Sequence, residues 1–208
     1  MMRNSFEILL EDIECQYLMQ KDERLCWLLS TMGSIECSKH SDPFRFLVDE
    51  IIEQMLSVRV ADIIRDRFYL LCEGDVSPDK ILQLSIEQIR SVGISTQKAS
   101  YILGLCAAIH DNRLLLPSLG CLSDEQVISE LKKQKGIGTW TAKMFLIFVL
   151  QRDDVIPFED TAFVRGMKGL YQNDDLSREE IIAICKEWSP YASIAARHIY
   201  RAVDMGII

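Results

Sequence analysis

The sequence predicts an all-α protein, and three observations carry that prediction. Apolar residues recur at three-to-four spacing along most of the 208 residues, alternating strand-like runs are hard to find, and short Gly, Pro, Ser or Asn punctuation separates the helical segments. The clearest segment is DPFRFLVDEIIEQMLSVRVADIIRDRF. Its apolar residues at 44, 47, 48, 51, 52, 55 and 56 mark one buried face, with Asp42 as N-cap and Pro43 at the first helical position. Further helices are expected over 6–19, 22–32, 60–72, 78–83, 85–91, 95–110, 123–134, 139–151, 160–171, 177–187 and 190–205.

One internal echo stands out. IEQIRSVGISTQKASYILGLC and ISELKKQKGIGTWTAKMFLIF both run helix, x-Gly-Ile-x, Ser/Thr, Lys and a second helix, which reads as two helical hairpins of related shape. Two copies do not make a solenoid.

Composition bounds the function. Half-apolar content (49%) suffices for one large domain or a two-lobed unit with a real core. The net charge is 23 − 31 = −8, which argues against indiscriminate binding to nucleic acid or anionic membranes and requires any polyanion site to be a local basic patch. Seven cysteines (15, 26, 37, 72, 106, 121 and 185) are scattered singly without a CxxC, so neither a zinc module nor an iron–sulfur cluster is suggested, and a reducing cytosol is expected. The N-terminus is acidic from Glu7 and no apolar run reaches membrane-spanning length, so a soluble cytoplasmic protein is expected. His40, His110 and His198 show no ligand spacing.

The stretch LKKQKGIGTWTAKMF, Leu131 to Phe145, carries the first functional signal. Gly136 and Gly138 can take positive φ and admit another backbone closely, while Thr139 or Thr141 can cap the following helix, whose opening amides suit an anion such as phosphate. From Leu131 to Arg152 the chain carries Lys132, Lys133, Lys135, Lys143 and Arg152 and no acidic residue. A tight packing turn with solvated lysines is the competing reading. About twenty residues on, in RDDVIPFEDTAFVRGMKGLY, Pro157 and Phe158 break the previous helix and Asp160 stands at the start of the next one. It serves there either as a plain N-cap or as a carboxylate able to stabilise positive charge on a sugar.

Together, GIGTWTA and RDDVIPFED resemble the helix-hairpin-helix (HhH-GPD) DNA glycosylase superfamily, and within it the bacterial 3-methyladenine DNA glycosylase II branch. DPFRFLVDEIIEQMLSVRVA, VGISTQKASYI and WSPYASIAARHIY agree, in the family's order from about residue 20 onward. The resemblance implies an all-α, two-lobed fold with an active-site cleft between the lobes: one lobe from 41–150, with the hairpin at 131–143, and the other from 1–40 with 151–208. It implies a monomer that binds double-stranded DNA containing damaged bases, has no membrane partner, flips the lesion out of the stack and hydrolyses its glycosidic bond.

The same resemblance assigns site residues. Backbone around Gly136, Ile137, Gly138, Thr139, Trp140 and Thr141 would bind phosphate, with Lys143 as a phosphate or solvent contact. Carbonyls of Lys132, Gln134 and Ile137 would hold a sodium, potassium or divalent cation; no cofactor is otherwise required. Asp160 would be catalytic, with Glu159 a bystander. Met55 of QMLS would be the wedge filling the gap left by the flipped base, although its apolar stripe also fits a core position, and Gln54 would reach the exposed partner base. Trp140 and Tyr200 would line the base pocket, with Phe44, Tyr191 and Trp188 as weaker candidates that also read as core. Trp140 stands where strand-cutting members carry a lysine nucleophile, which implies base removal without strand cleavage. The usual proline before Gly-Ile-Gly is Lys135, and the β-rich lobe of some members has no room, so a helical-only version is expected. A non-catalytic binder of distorted or abasic DNA, or a glycosylase for another damaged base, are the alternatives.

Overall fold

Short polar side chains ahead of apolar runs start most of the helices. In the computed structural model, which describes residues 4–208, the chain runs β1 (Asn4–Ile8), α1 (Ile13–Lys21), α2 (Glu23–Met32), β2 (Ile35–Lys39), α3 (Pro43–Glu53), α4 (Val58–Leu71), α5 (Pro78–Ile81), α6 (Ile86–Ser91) and α7 (Thr96–His110). A 3-10 turn over Leu116–Cys121 follows, then α8 (Asp124–Lys132), α9 (Thr139–Phe148), α10 (Thr161–Tyr171), α11 (Arg178–Glu187) and α12 (Ala192–Asp204). Asp22, Asp42, Ser95 and Asp160 each accept a backbone N–H of the following helix, and Ser85, Ser123 and Ser177 form reciprocal capping boxes with Gln88, Gln126 and Glu180.

The described chain separates into two compact units, one of residues up to Ser41 together with Leu146–Ile208, the other Asp42–Phe145. Helix α9 therefore starts in the second unit and ends in the first.

The first unit departs from the helical-only expectation. Residues 6–8, expected to open a helix over 6–19, belong instead to the strand β1, which pairs antiparallel with β2, with Phe6 opposite Cys37 and Ile8 opposite Ile35. In β2, Ile35 and Cys37 are buried and Glu36 is exposed, a period of two over five residues that is too short to stand out against helical spacing. This ribbon joins a core of Leu18, Leu25, Leu28, Phe163, Met167, Trp188 and Ile199. Asp22 links three helices there. Its Oδ1 accepts from the amides of Arg24 and Leu25, and its Oδ2 accepts from Trp188 Nε1 at 2.9 Å and from the Tyr171 hydroxyl. At Gly166 an added Cβ would fall 2.4 Å from Ile199 Cγ2, so the missing side chain is what lets α10 approach α12.

The second unit is helical throughout, and its core includes Leu47, Ile51, Ile52, Phe68, Ile102 and Phe145. Its first helix is shorter than the apolar stripe implies. α3 stops at Glu53, so Met55 and Leu56 lie outside it. Five of the cysteines are buried, as small core residues are, and burial pushes the Cys106 thiol up to about 12.

Asp49 of α3 lies close to Tyr69 of α4, whose hydroxyl donates to the carboxylate at 2.5 and 2.6 Å. Burial raises Asp49 from its ordinary 3.8 to about 6, against the opposing pull of that hydrogen bond and of the Arg65 and Arg45 guanidinium groups. An acid whose folded value is raised contributes stability that is full below its unfolded pKa and lost as pH rises through its folded pKa. Asp49→Asn keeps an acceptor for Tyr69 and removes the buried charge. It should melt above the parent at pH 7.5 by a few degrees, on a scale of roughly 2–4 °C per kcal/mol, and the gain should fade toward about pH 4. A gain independent of pH, read by thermal unfolding across that range, would show that the charge is not what costs stability here.

Candidate functional site

The Gly-Ile-Gly turn is built by two short-range bonds. After α8 ends, the amide of Gln134 donates to Leu131 at 3.0 Å and the amide of Ile137 donates to Gln134 at 3.2 Å, which reverses the chain. Ile137 is buried and anchors the turn. The two glycines have different reasons to be glycine. Gly136 has φ of +89°, and a Cβ there would sit 2.4 Å from Tyr101 Cδ2, so backbone conformation and packing both require it. Gly138 is outside the positive-φ set, contrary to expectation, and a Cβ there would meet nothing within 4 Å. Its outer side is open. The Gly138 carbonyl accepts from Ala142 N–H at 3.1 Å, so Gly138 itself holds the N-cap position of α9, and Thr139 and Thr141 lie inside the helix rather than capping it.

Three side chains differ from their expected roles. Thr141 is 2% exposed and belongs to the core face, so only its backbone remains available for an anion. Lys143 is 9% exposed, not a solvated contact, because one turn into α9 the helix is already enclosed. Lys133 pairs with Glu130 at 2.6 Å across one helical turn, which leaves Lys132 and Lys135 as the exposed cations nearest the turn. The acid-free stretch in sequence thus makes a smaller basic face in space.

Beside this turn in the same unit lies the end of α3. The backbone breaks at Gln54 (φ −47°, ψ 128°), and Met55 adopts φ of +57° with its side chain fully exposed, 101% by area. Core packing is therefore not its role. Gln54 does not project outward to meet another molecule, since its side-chain amide donates to the carbonyl of Gly136 at 2.7 Å and ties the α3 end to the hairpin. Lys98, from the first turn of α7, sends its ammonium to the carbonyls of Ile52 at 2.8 Å and Gln54 at 2.6 Å. Sequence reading passed over Lys98. The one available signal was its place in the GIS-T-Q-K echo of the second hairpin.

Asp160 lies in the other unit. It is half-buried and is the N-cap of α10, its Oδ1 accepting from Phe163 N–H at 2.9 Å. The loop before it is pinned to the start of α12, because Ser193 N–H donates to Asp153 O at 2.8 Å and Val155 N–H donates to Ser193 Oγ at 2.9 Å. An aromatic series runs on from the cap partner. The Phe163 and Tyr200 rings are 6.1 Å apart and the Tyr200 and Phe148 rings 6.2 Å apart. Tyr200 and Phe148 line a cavity of about 510 Å³ with Glu36, Cys37, Ser38 and Arg197. Arg197 is a second cation capping a helix end, since its Nη2 donates to the carbonyl of Ile147 at 2.5 Å.

The remaining aromatic candidates divide. Phe44 is buried in the helical unit and packs as core, because it lies on the inner face of α3. Trp188 is buried and bonded to Asp22. Tyr191 is half-buried and packs edge-on against Tyr17 with centroids 5.4 Å apart. Trp140 is half-buried at the opening turn of α9. Among the described residues no cluster of three or more His, Cys, Asp or Glu gathers as metal ligands, and no helix is long and apolar enough to cross a membrane.

Known proteins resemble this chain in sequence and in fold. The family model described as HhH-GPD superfamily base excision DNA repair protein matches residues 48–190. A putative DNA-3-methyladenine glycosylase of Bacillus subtilis is 29% identical over 163 residues, 74% of this chain, and the chain spans 56% of that protein's length. DNA-3-methyladenine glycosylase 1 of Schizosaccharomyces pombe is 26% identical over 91% of the chain and 85% of its own length. Among solved structures, a DNA-3-methyladenine glycosidase from Bacillus halodurans superposes with a TM-score of 0.88 at 31% identity, covering 97% of this chain and 94% of that one. The Schizosaccharomyces pombe 3-methyladenine DNA glycosylase in complex with abasic DNA superposes at 0.79 and 25% identity, covering 91% and 95%.

The two glycines should separate in a melting experiment. Gly136→Ala forces a side chain into Tyr101 at positive φ and should lower Tm by several degrees. Gly138→Ala should leave it within about 1–2 °C of the parent. Equal losses at both positions would contradict the open space found at Gly138.

Proposed function

This chain belongs to the HhH-GPD superfamily of base excision DNA repair proteins, and on that premise we propose that it is a monofunctional DNA glycosylase releasing alkylated purines, such as 3-methyladenine or 7-methylguanine, from damaged duplex DNA. The observation that carries this reading is Asp160. It sits at the N-terminus of α10, held by Phe163 N–H, at the head of the aromatic series that leads through Tyr200 to the cavity.

An alkylated purine nucleotide already carries positive charge, so its base departs with the bonding electron pair and becomes neutral. The sugar left behind is oxocarbenium-like, and a carboxylate fixed by its helix can stabilise it without reorganising at the moment of reaction. Water then supplies the oxygen to C1′ and releases one proton, leaving an abasic site. Tyr200 offers an aromatic face to an electron-poor base, an attraction a normal neutral purine lacks.

The hairpin supplies the grip. The open side of Gly138 and the opening amides of α9 suit a phosphate, and such backbone contacts carry no sequence information, as suits an enzyme that scans for lesions. The carbonyls of Lys132, Gln134 and Ile137 lie at the C-terminal end of α8 and in the turn after it, where the helix dipole favours a cation. Neutral carbonyl oxygens without a carboxylate suit sodium or potassium better than a divalent ion. Few exposed lysines and a net charge of −8 mean that affinity rests on few phosphates and should weaken modestly with salt. Trp140 has no amine with which to form an imine, so no strand cleavage accompanies base release.

Asn also caps helices well, so Asp160→Asn should fold and melt like the parent while single-turnover base release from methylated duplex falls by about 10²–10³-fold. Equal rates would remove Asp160 from the chemistry; tight binding to abasic-analogue DNA without excision by the parent would favour a non-catalytic binder. The excision product should remain an uncut strand until treated with alkali. A nick without alkali, or an adduct trapped by borohydride, would overturn the role given to Trp140.

A further inference from the structure

We propose that Lys98 is a positioning residue that locks the Met55 wedge to the phosphate-gripping hairpin, an inference that rests on the glycosylase reading for the wedge itself. A helix that stops abruptly exposes its last carbonyls, which lack intrahelical donors and concentrate partial negative charge. At the end of α3 two of these oxygens, of Ile52 and Gln54, face a single ammonium at 2.8 and 2.6 Å. Burial pulls the Lys98 pKa down from its ordinary value, and the favourable carbonyl contacts keep the cation where it is useful. Fixing the Gln54 backbone also fixes its side chain, whose amide reaches Gly136 at 2.7 Å.

Tyr101, one turn along α7 from Lys98, closes the arrangement. Its ring fills the space where a Cβ of Gly136 would lie, and its hydroxyl accepts from Gln97 Nε2 at 2.6 Å. Helix α7 therefore holds the α3 end through Lys98 and the hairpin through Tyr101, with Gln54 joining the two directly. Met55 is the next residue, with positive φ and no packing of its own. A wedge driven into stacked bases meets a restoring force, and an unsupported loop would yield before the stack does. Lys98 supplies the support, although it lies 43 residues from Met55 in sequence (98 − 55).

The test uses the full chain as Lys98→Met, Lys98→Arg, Met55→Ala and the Lys98→Met/Met55→Ala double variant, each assayed well below its own Tm. Two readouts are taken: single-turnover release of 7-methylguanine from duplex DNA, and fluorescence of 2-aminopurine placed beside an abasic analogue, which rises when bases unstack. Lys98→Met should slow release roughly 10- to 100-fold and abolish the fluorescence rise, while affinity for undamaged duplex changes less than threefold. Lys98→Arg should restore much of both signals. The double variant should be no worse than the poorer single variant, since a wedge already unsupported has nothing more to lose. Additive losses, or a normal fluorescence rise in Lys98→Met, would overturn the proposal and leave Lys98 as a stabilising cap only. The fluorescence arm needs no excision. If even the parent releases no base, the glycosylase reading fails while the role of Lys98 is still decided.

Discussion

The point at which α3 ends is the constraint on which the hairpin edge of the helical unit depends. An unbroken helix through Met55 and Leu56 would bury both on the stripe begun by Leu47 and Ile51, and nothing would project. Stopping at Glu53 leaves backbone acceptors that must be satisfied, because buried or half-buried carbonyls without donors cost about 1–3 kcal/mol each. A lysine from a different helix meets that need. The same contacts aim Gln54 at Gly136, so one broken helix organises three segments that are far apart in sequence. Arg197 treats the end of α9 in a related way through the Ile147 carbonyl.

Much of the fold was legible because its helices announce their starts. Asp42 with Pro43, Ser85 with Gln88, Ser123 with Gln126 and Ser177 with Glu180 are local signals, complete within four residues, and these four helices begin where the signals stand. What was illegible depends on contacts across the chain. The β1–β2 ribbon has five residues a side, so its alternation is brief, and its partner lies some thirty residues away. The apolar stripe runs smoothly past Gln54, since periodicity records residue type and not a change in φ. Composition likewise counted Lys143 and Lys133 as surface charge, although one is enclosed and the other is paired with Glu130. The family resemblance supplied the candidate Asp160 and the hairpin backbone. It supplied neither Lys98 nor the inward turn of Gln54, which emerge only from distances.

Under the proposed chemistry, Asp160 would be both a helix cap and the carboxylate that faces the sugar. The bond from Phe163 N–H fixes the carboxylate, and the Ser193 contacts hold the preceding loop to α12, so the group is restrained on both sides. A charge held still can stabilise a transient cation without the reorganisation that water would require. The contacts that make the side chain a structural cap also give it the rigidity that such chemistry would need.

The division of the chain also bears on how the protein reaches its folded state. One unit is a continuous stretch, Asp42–Phe145, whereas the other is assembled from the residues before Asp42 and those after Phe145. During synthesis the continuous unit can complete its helical contacts as soon as α9 emerges, while β1, β2, α1 and α2 wait for α10 to α12 to cover Leu18, Leu25 and Leu28. On that order the hairpin and the Lys98 contacts can take shape early, and the surroundings of Asp160 last.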